Sequence, residues 1–181
     1  MSTIVFTFGR MNPPTKGHKL VVSKVVETAK KMGADHIVYL SQTNRAPTDP
    51  LDWDFKRRVC ENAFKGVNIS NDVSIKNPFI AIEVLKDSYD SIIMIAGSDQ
   101  VSDYSAFKKY TDEWGINFQV VSAGERVLGS RGIAGISASK LRKYAKEGNK
   151  NKFFEGLPKG LNGGAMELIY KNTQRGLMKS K

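Results

Sequence analysis

Short apolar runs alternate along the chain with longer stretches in which apolar residues recur at helical spacing. The first run, residues 4–8, is rich in β-branched and aromatic residues, which predicts a buried strand. After a polar turn, apolar residues recur at helical spacing up to Met32, and Gly33 is placed to end that helix. The same criteria predict strands at residues 4–8, 36–40, 73–75, 91–96 and 116–121. They predict helices at residues 16–32, 52–65, 78–85, 103–114, 137–147, 151–154 and 164–174, with a frayed basic tail at 175–181.

This alternation of strands and helices predicts an α/β fold: a Rossmann-like, doubly wound, five-stranded parallel sheet with C-terminal helices. Residues 91–96 are apolar on both faces, as a central parallel strand should be. We expect a single domain over residues 1–181, with a core at about 3–148 and a helical extension at about 149–181. Ligands of such sheets bind outside the carboxyl ends of the strands.

Composition fits an ordinary globular protein, with 40% hydrophobic and 25% charged residues in 181. No apolar run is long enough for a membrane span, and a strand is predicted directly at the start, so no membrane partner and a cytoplasmic location are expected. Cys60 is the single cysteine, which excludes an internal disulfide and favours packing over chemistry. Two histidines and one cysteine argue against a structural zinc site, and no metal-ligating residue is predicted.

A formal net charge of +10 suits an anionic partner such as a nucleotide, a nucleic acid or an acidic surface. Nucleic acid is the less favoured partner, because no basic motif interleaved with aromatic residues is present. Two common nucleotide-binding patterns are also absent: no GxGxxG follows the first predicted strand, and there is no P-loop.

The turn after the first strand has the features of an anion site. Gly9 breaks the strand, and Pro13-Pro14 prevents a helix before Thr15. Thr15 then stands at the N-cap position, with His18 in the first helical turn. Free backbone N–H groups and the helix dipole converge at such a point, and a histidine added there indicates phosphate chemistry.

A second predicted helix start has a similar character, at Ile136-Ser137-Ala138-Ser139-Lys140-Leu141-Arg142. The hydroxyls of Ser137 and Ser139 and the free N–H groups can hold phosphate oxygens. Arg142 follows Ser139 by three residues, so its guanidinium lies on the same helix face. A plain capped surface helix is the alternative interpretation.

Together these two stretches resemble the two signatures of the nucleotidylyltransferase superfamily, HxGH and ISSTxxR. Thr15-Lys16-Gly17-His18 has Thr in place of the first His, a variant that phosphopantetheine adenylyltransferases also carry. The turn from Gly9 to Pro13 is more similar to that of nicotinamide mononucleotide adenylyltransferases. The resemblance covers roughly residues 4 to 146.

The resemblance implies transfer of a nucleoside monophosphate from a nucleoside triphosphate to a small phosphorylated acceptor, with release of pyrophosphate; ATP is favoured over CTP as the donor, and CTP stays open. His18 is implied to stabilise charge on the α-phosphate, and Thr15 to bind phosphate in place of the missing histidine. Ser137, Ser139 and Arg142 are implied to hold the β- and γ-phosphates and the leaving pyrophosphate. Mg²⁺ is expected to accompany the triphosphate, bound mainly through phosphate oxygens and water.

Other positions carry weaker implications. Lys56 falls where family members have an arginine after a Pro-Leu pair, so it is a phosphate candidate. Gly97-Ser98-Asp99 resembles a GxD element near the nucleotide, where Asp99 either accepts from ribose or base or caps the next helix. The remaining nucleotide-binding candidates lie on the first signature: Gly9, Arg10, Met11, Asn12 and Gly17.

Several alternatives stay open at this point. The acceptor is expected to be nicotinamide mononucleotide-like, with cytidylyltransferase or phosphopantetheine adenylyltransferase-like activity as the alternative. From other classes, the chain can be a catalytically silent nucleotide-binding module or a basic nucleic-acid-binding protein, and a homo-oligomer is compatible with the sequence. The glycine-rich residues 123–135, with Arg126 and Arg131, predict either a lid over the phosphates or an ordinary connection.

Overall fold

The structure, a computed structural model, describes residues 2–124 and 136–179. Its strands are β1 Thr3–Gly9, β2 Asp35–Leu40, β3 Ser91–Ala96 and β4 Asn117–Ser122. The helices in the first half of the chain are α1 Lys16–Met32, α2 Trp53–Ala63 and α3 Pro78–Leu85. Those in the second half are α4 Val101–Ser105, α5 Lys108–Glu113, α6 Ala138–Glu147, α7 Lys150–Gly156 and α8 Gly163–Met178.

The α/β architecture with a parallel sheet is confirmed, but within the described residues the sheet has four strands instead of five. Their order is β2-β1-β3-β4, and β3 runs parallel to both β1 and β4. The register pairs Val5 with Ile93 and Ile93 with Gln119. Because the chain crosses from β2 over β1 to β3, strand order reverses beside β1, where sheets of this kind bind ligands.

Residues 73–75, predicted as a strand, form a turn. The Asp72 carboxylate accepts hydrogen bonds from the Ser74 backbone N–H at 2.9 Å and from the Ser74 hydroxyl at 2.6 Å. Such a bond from an aspartate to the backbone two residues on competes directly with a strand ladder. On that side of the sheet, an isolated parallel bridge joins Val38 and Ile69.

The described chain forms two compact units. The first contains residues 2–9, 20–39 and 67–124, and so most of the sheet. On one sheet face Phe6 and Met94 pack with Ile82 of α3. On the other face Val5 and Ile93 pack with residues of α1. Helices therefore cover both faces, as a doubly wound sheet requires.

The second unit contains residues 10–19, 40–66 and 136–179, including α6, α7 and α8. Its core includes the fully buried Leu141 and Phe153. Helix α8 approaches the loop before α2 so closely that a Cβ added at Gly176 would overlap the backbone of Pro50. A glycine is thus required at that contact. The single-domain organisation with a separate extension stays a prediction.

Two helix predictions need correction. The tail expected to fray from Arg175 is helical to Met178, because buried positions continue at helical spacing through Gly176. The helix expected at 103–114 is two short helices, because Ala106 and Phe107 form i to i−3 bonds instead of continuing the α-helical pattern. Among the described helices, none combines the length and apolar character needed to span a bilayer.

Candidate functional site

Helix α1 begins with a reciprocal pair of hydrogen bonds between Thr15 and His18. The Thr15 hydroxyl accepts from the His18 backbone N–H at 3.2 Å, which confirms Thr15 at the predicted capping position. The Thr15 backbone N–H donates to His18 Nδ1 at 3.0 Å. Thr15 is 1% exposed, so the residues packed around it hold the pair in place. This arrangement resembles a capping box with histidine in place of glutamate.

The same pair of hydrogen bonds determines which nitrogen of the His18 imidazole carries the proton. Because Nδ1 accepts a hydrogen bond, the neutral ring of His18 carries its proton on Nε2. Nε2–H is a hydrogen-bond donor on a half-buried ring in the first turn of a 17-residue helix. The positive end of the helix dipole adds to that donor, so the group is suited to an anion.

Asn12 lies at the centre of the first signature turn and is fully buried. Its side-chain amide donates to the Leu51 carbonyl at 3.2 Å, and its side-chain oxygen accepts from the Leu51 N–H at 2.8 Å. The Asn12 backbone carbonyl accepts from Arg142 Nη1 at 3.0 Å. Through its side chain and its backbone carbonyl, Asn12 joins three segments of the second unit. Nucleotide binding by Asn12 stays a prediction for the residue as a whole.

Lys56 on α2 is also fully buried. Its ammonium donates to the carbonyl of Arg10 at 2.6 Å, and to the carbonyl and hydroxyl of Ser41 at 2.8 and 3.0 Å. Burial lowers the pKa of Lys56 to about 8. All three of its N–H groups are already donated, so a phosphate contact would require one of these bonds to be exchanged. In this structure Lys56 anchors the first signature turn, and phosphate binding stays a prediction.

The second signature forms the start of α6 as predicted. The Ser137 side chain caps the helix by accepting from the Lys140 N–H at 3.2 Å. Arg142 Nη2 donates to the Ser139 hydroxyl at 3.1 Å, which confirms that the two side chains share a face. Burial lowers the pKa of the Arg142 guanidinium, which nevertheless stays charged at neutral pH. Through the bond to Asn12, Arg142 connects the two signatures.

These residues form a cluster with an excess of positive charge. Arg10, whose side chain is exposed, is close enough to lower the pKa of both Lys56 and Arg142. Asp49 raises both values and is the one carboxylate that acts on the two together in the described chain. Asp52 acts on Lys56 alone, so three cations face two carboxylates, and the remaining excess of one positive charge favours an anionic ligand.

The sequence does not single out Asp49, because an Asp-Pro pair such as Asp49-Pro50 is typical of a turn. Its side chain is buried, and one carboxylate oxygen accepts from the Thr48 hydroxyl at 2.6 Å. The other oxygen, Oδ1, has no hydrogen-bond partner among the described residues. A buried acid after a Thr in a loop has no local pattern that marks it, so the three-dimensional charge environment was needed to find it.

The remaining first-signature residues are placed as follows. Gly9 is the last residue of β1 in the first unit, and Gly17 lies in the first turn of α1. Met11 is buried, with its sulfur 3.8 Å from that of Cys60, and has a left-handed φ of 45°. Cys60 is fully buried against Met11, as its predicted packing role requires, and burial raises the pKa of its thiol to about 12.

Gly97 and Asp99 belong to the first unit. The Asp99 carboxylate folds back over Gly97, where an added Cβ would lie 2.8 Å from Asp99 Oδ1. Helix α4 starts after Gln100, with no capping bond from a side chain, so the helix-cap alternative for Asp99 is wrong. Its contact with ribose or base stays a prediction. Arg126 and Arg131 of the proposed lid lie outside the described residues.

Within residues 2–124 and 136–179, no group of three or more His, Cys, Asp or Glu side chains could hold a metal ion.

No protein-family profile and no curated protein sequence matches the chain. Among solved structures, the chain is similar to Thermotoga maritima TmcAL bound with alpha-thio ATP, with a TM-score of 0.56 and 12% sequence identity. The match covers 94% of this chain and 56% of the other, so the chain spans little more than half the length of that protein. At this identity the likeness establishes a shared α/β fold.

Proposed function

We propose that this chain is a nucleotidylyltransferase of the HxGH type that acts on a nucleoside triphosphate, with ATP favoured. The observation that carries the proposal is the bond from Arg142 to the Asn12 carbonyl, which brings the two phosphate-type helix starts into one cationic cluster. In the reaction, an oxygen of the acceptor phosphate bonds to the α-phosphorus while the bond from that phosphorus to the bridging oxygen of pyrophosphate breaks. No covalent enzyme intermediate is needed, so positioning and charge stabilisation do most of the work.

His18 acts on the α-phosphate in this proposal. Its Nε2–H donates to a non-bridging oxygen whose negative charge rises in the transition state. Thr15 keeps the ring in the donor tautomer and orientation through its backbone N–H. One preorganised donor of this kind is worth about 3 kcal/mol of barrier, by analogy with an oxyanion hole.

Arg142 acts on the leaving group. Its guanidinium has five N–H donors, and two of its nitrogens are occupied by Asn12 and Ser139. Those contacts fix its plane, so the other donors can clamp the β- and γ-phosphates, with Ser137 and Ser139 at the same helix start. The exposed Arg10 adds positive charge for the triphosphate.

Mg²⁺ is proposed to arrive with the triphosphate. The described residues contain no cluster of ligands that fits it, so phosphate oxygens and water would complete its coordination. No step above depends on the metal.

The acceptor is proposed to be nicotinamide mononucleotide-like, on the basis of the Gly9–Pro13 turn and Gly97-Ser98-Asp99. Cytidylyl transfer and transfer to phosphopantetheine are the alternatives within the class. We place the activity in the cytoplasm, where the single buried thiol would stay reduced.

A catalytically silent nucleotide-binding module is the second candidate, and Thr15 favours it. Its hydroxyl is buried and used in capping α1, so it does not replace the catalytic capacity of a second imidazole. Such a module would bind the triphosphate without turning it over.

One experiment separates these candidates. Thermal stability is measured with ATP, CTP and GTP in the presence of Mg²⁺, and pyrophosphate release is followed across a panel of phosphorylated acceptors. Transfer requires both a stability shift and pyrophosphate that depends on the acceptor. A shift without pyrophosphate supports the silent module, and a folded protein with no shift at millimolar triphosphate rejects both.

A further inference from the structure

A groove of about 480 Å³ lies in the second unit, and none of the candidate site residues described above lines it. Helix α2 forms one wall, while α8 and the residue Leu161 before it form the other. Its apolar lining consists of Phe55, Val59, Leu161, Ala165, Leu168 and Ile169. Both the volume and the lining are typical of small-ligand sites, in which apolar walls carry a few placed polar groups.

The shape of the groove follows from residue spacing. On α2 the lining residues are 55, 58, 59 and 62, and on α8 they include 165, 168, 169 and 172. Both sets follow the i, i+3, i+4, i+7 pattern of one helix face. Two such stripes make a trough roughly 10 Å long at 1.5 Å per residue, which suits an elongated apolar body. Leu168 is 54% exposed and Phe55 is half-buried, whereas Val59 and Ile169 are buried and form the floor of the trough.

The charged groups of the groove are all cationic. Arg58 lines it from α2 and Arg175 from α8, and no Asp or Glu belongs to the lining. Arg58 shares Asp54 with Arg57, at 3.3 Å against 2.6 Å for the Arg57 contact. Arg175 makes no ion pair with any residue in the described ranges. An apolar trough with a cation on each wall is complementary to a ligand with an apolar chain and an anionic end.

We propose that the groove between α2 and α8 binds an elongated apolar carboxylate of the free medium-chain fatty acid type. Its chain lies along Phe55, Val59 and Leu168, and its carboxylate pairs with Arg175. This site is independent of the proposed nucleotidylyl transfer. A second copy of the chain is a poorer occupant, because packing two such grooves together would bring arginines of like charge near each other.

Isothermal titration of the full chain with decanoate, below the concentration at which it forms micelles, tests the proposal. We expect saturable one-to-one binding, and binding of uncharged decanol at least tenfold weaker. Arg175→Gln should weaken decanoate at least tenfold, and Leu168→Asp should abolish binding while thermal unfolding shows that both variants fold. Lys171→Gln is the matched control, because it removes an exposed α8 charge outside the groove.

Four results would overturn the proposal. They are absence of saturable binding, equal binding of decanol, equal loss in Lys171→Gln, and full binding by folded Arg175→Gln or folded Leu168→Asp. The oligomeric state is measured on the same samples by light scattering. A wild-type dimer that Leu168→Asp dissociates would assign the groove to a second copy and also reject the fatty-acid site.

Discussion

The two signature turns of the second unit are both helix starts, but they use their polar side chains differently. In the first turn Asn12 and Thr15 are buried and bonded within the protein, while His18 keeps a half-buried ring and Arg10 is exposed. In the second turn Ser137 caps the helix, while Ser139 is exposed and Arg142 is half-buried. The first turn is therefore mainly a frame, meaning a set of buried side chains that hold the His18 ring in place. The second turn presents several polar groups at its surface.

This difference shows that a motif marks a position in the chain without showing which of its atoms are available. Asn12 and Arg142 both belong to signatures, yet the Asn12 amide is used by Leu51 and Arg142 keeps donors to spare. The two turns are also interdependent, because Arg142 donates a hydrogen bond to the backbone carbonyl of Asn12. Substitutions in the two turns should accordingly differ in whether they affect stability, binding or turnover.

The largest effect is expected for His18→Ala. Turnover should fall by roughly 100-fold or more, because the donor to the α-phosphate is lost, while the backbone N–H at position 18 can still be capped by Thr15. Initial rates of pyrophosphate release measure turnover, and titrations with triphosphate measure its affinity.

His36→Ala is the matched control, since it removes the other histidine, whose ring accepts from Asn68 in the first unit. Its turnover should match the wild type. Full activity in His18→Ala would place the chemistry elsewhere.

Asn12→Ala should chiefly affect stability. It leaves the buried N–H and carbonyl of Leu51 without their partners, which costs about 2 to 3 kcal/mol in the free energy of unfolding. Urea denaturation gives this value. Asn62→Ala is the comparison, because among the described residues its amide accepts a single bond, from the exposed Lys65, and its loss should cost less than about 0.5 kcal/mol. Equal costs for the two variants would show that the first turn is not a frame.

Contacts such as these mark the limit of what the sequence could predict. The caps at Asp52, Asn77 and Ser137 were predictable because each bond reaches only three residues along the chain. By contrast, Asn12 and Leu51 are 39 positions apart, and Arg142 and Asn12 are 130 apart. No local pattern indicates that a particular amide will be used across such a separation.

Two other outcomes have different physical causes. The strand predicted at 73–75 rested on β-branched residues, while the competing Asp-x-Ser turn was also visible in the sequence and prevailed. Lys56 is a phosphate candidate because it falls where similar proteins have an arginine. Its burial among two carbonyls and a hydroxyl depends on the fold around it, which residue type and spacing do not encode.

Arg142→Ala should weaken triphosphate binding by about 2 kcal/mol, or roughly 30-fold, because a partly desolvated charge-assisted clamp is removed. Calorimetric titration with ATP and Mg²⁺ measures it. Lys143→Ala removes the neighbouring exposed charge, which is 4.0 Å from Glu147, and should leave affinity within about twofold. If both variants lose affinity equally, the effect is one of net charge, and the second turn holds no specific clamp.

The smallest effect is expected at Ser137, and it separates a helix cap from a phosphate contact. Ser137 caps α6 and Asn162 caps α8 through the same type of bond, to a backbone N–H three residues on. Replacing either residue by alanine should therefore lower the free energy of unfolding by about 1 kcal/mol in urea denaturation. Beyond its cap, α6 carries Ser139 and, one turn further along, Arg142, whereas the start of α8 has no such pair. Only Ser137→Ala should therefore also weaken ATP binding, by a few-fold. Equal ATP affinity in the two variants would confine Ser137 to capping and leave Ser139 and Arg142 as the groups that the second turn offers a ligand.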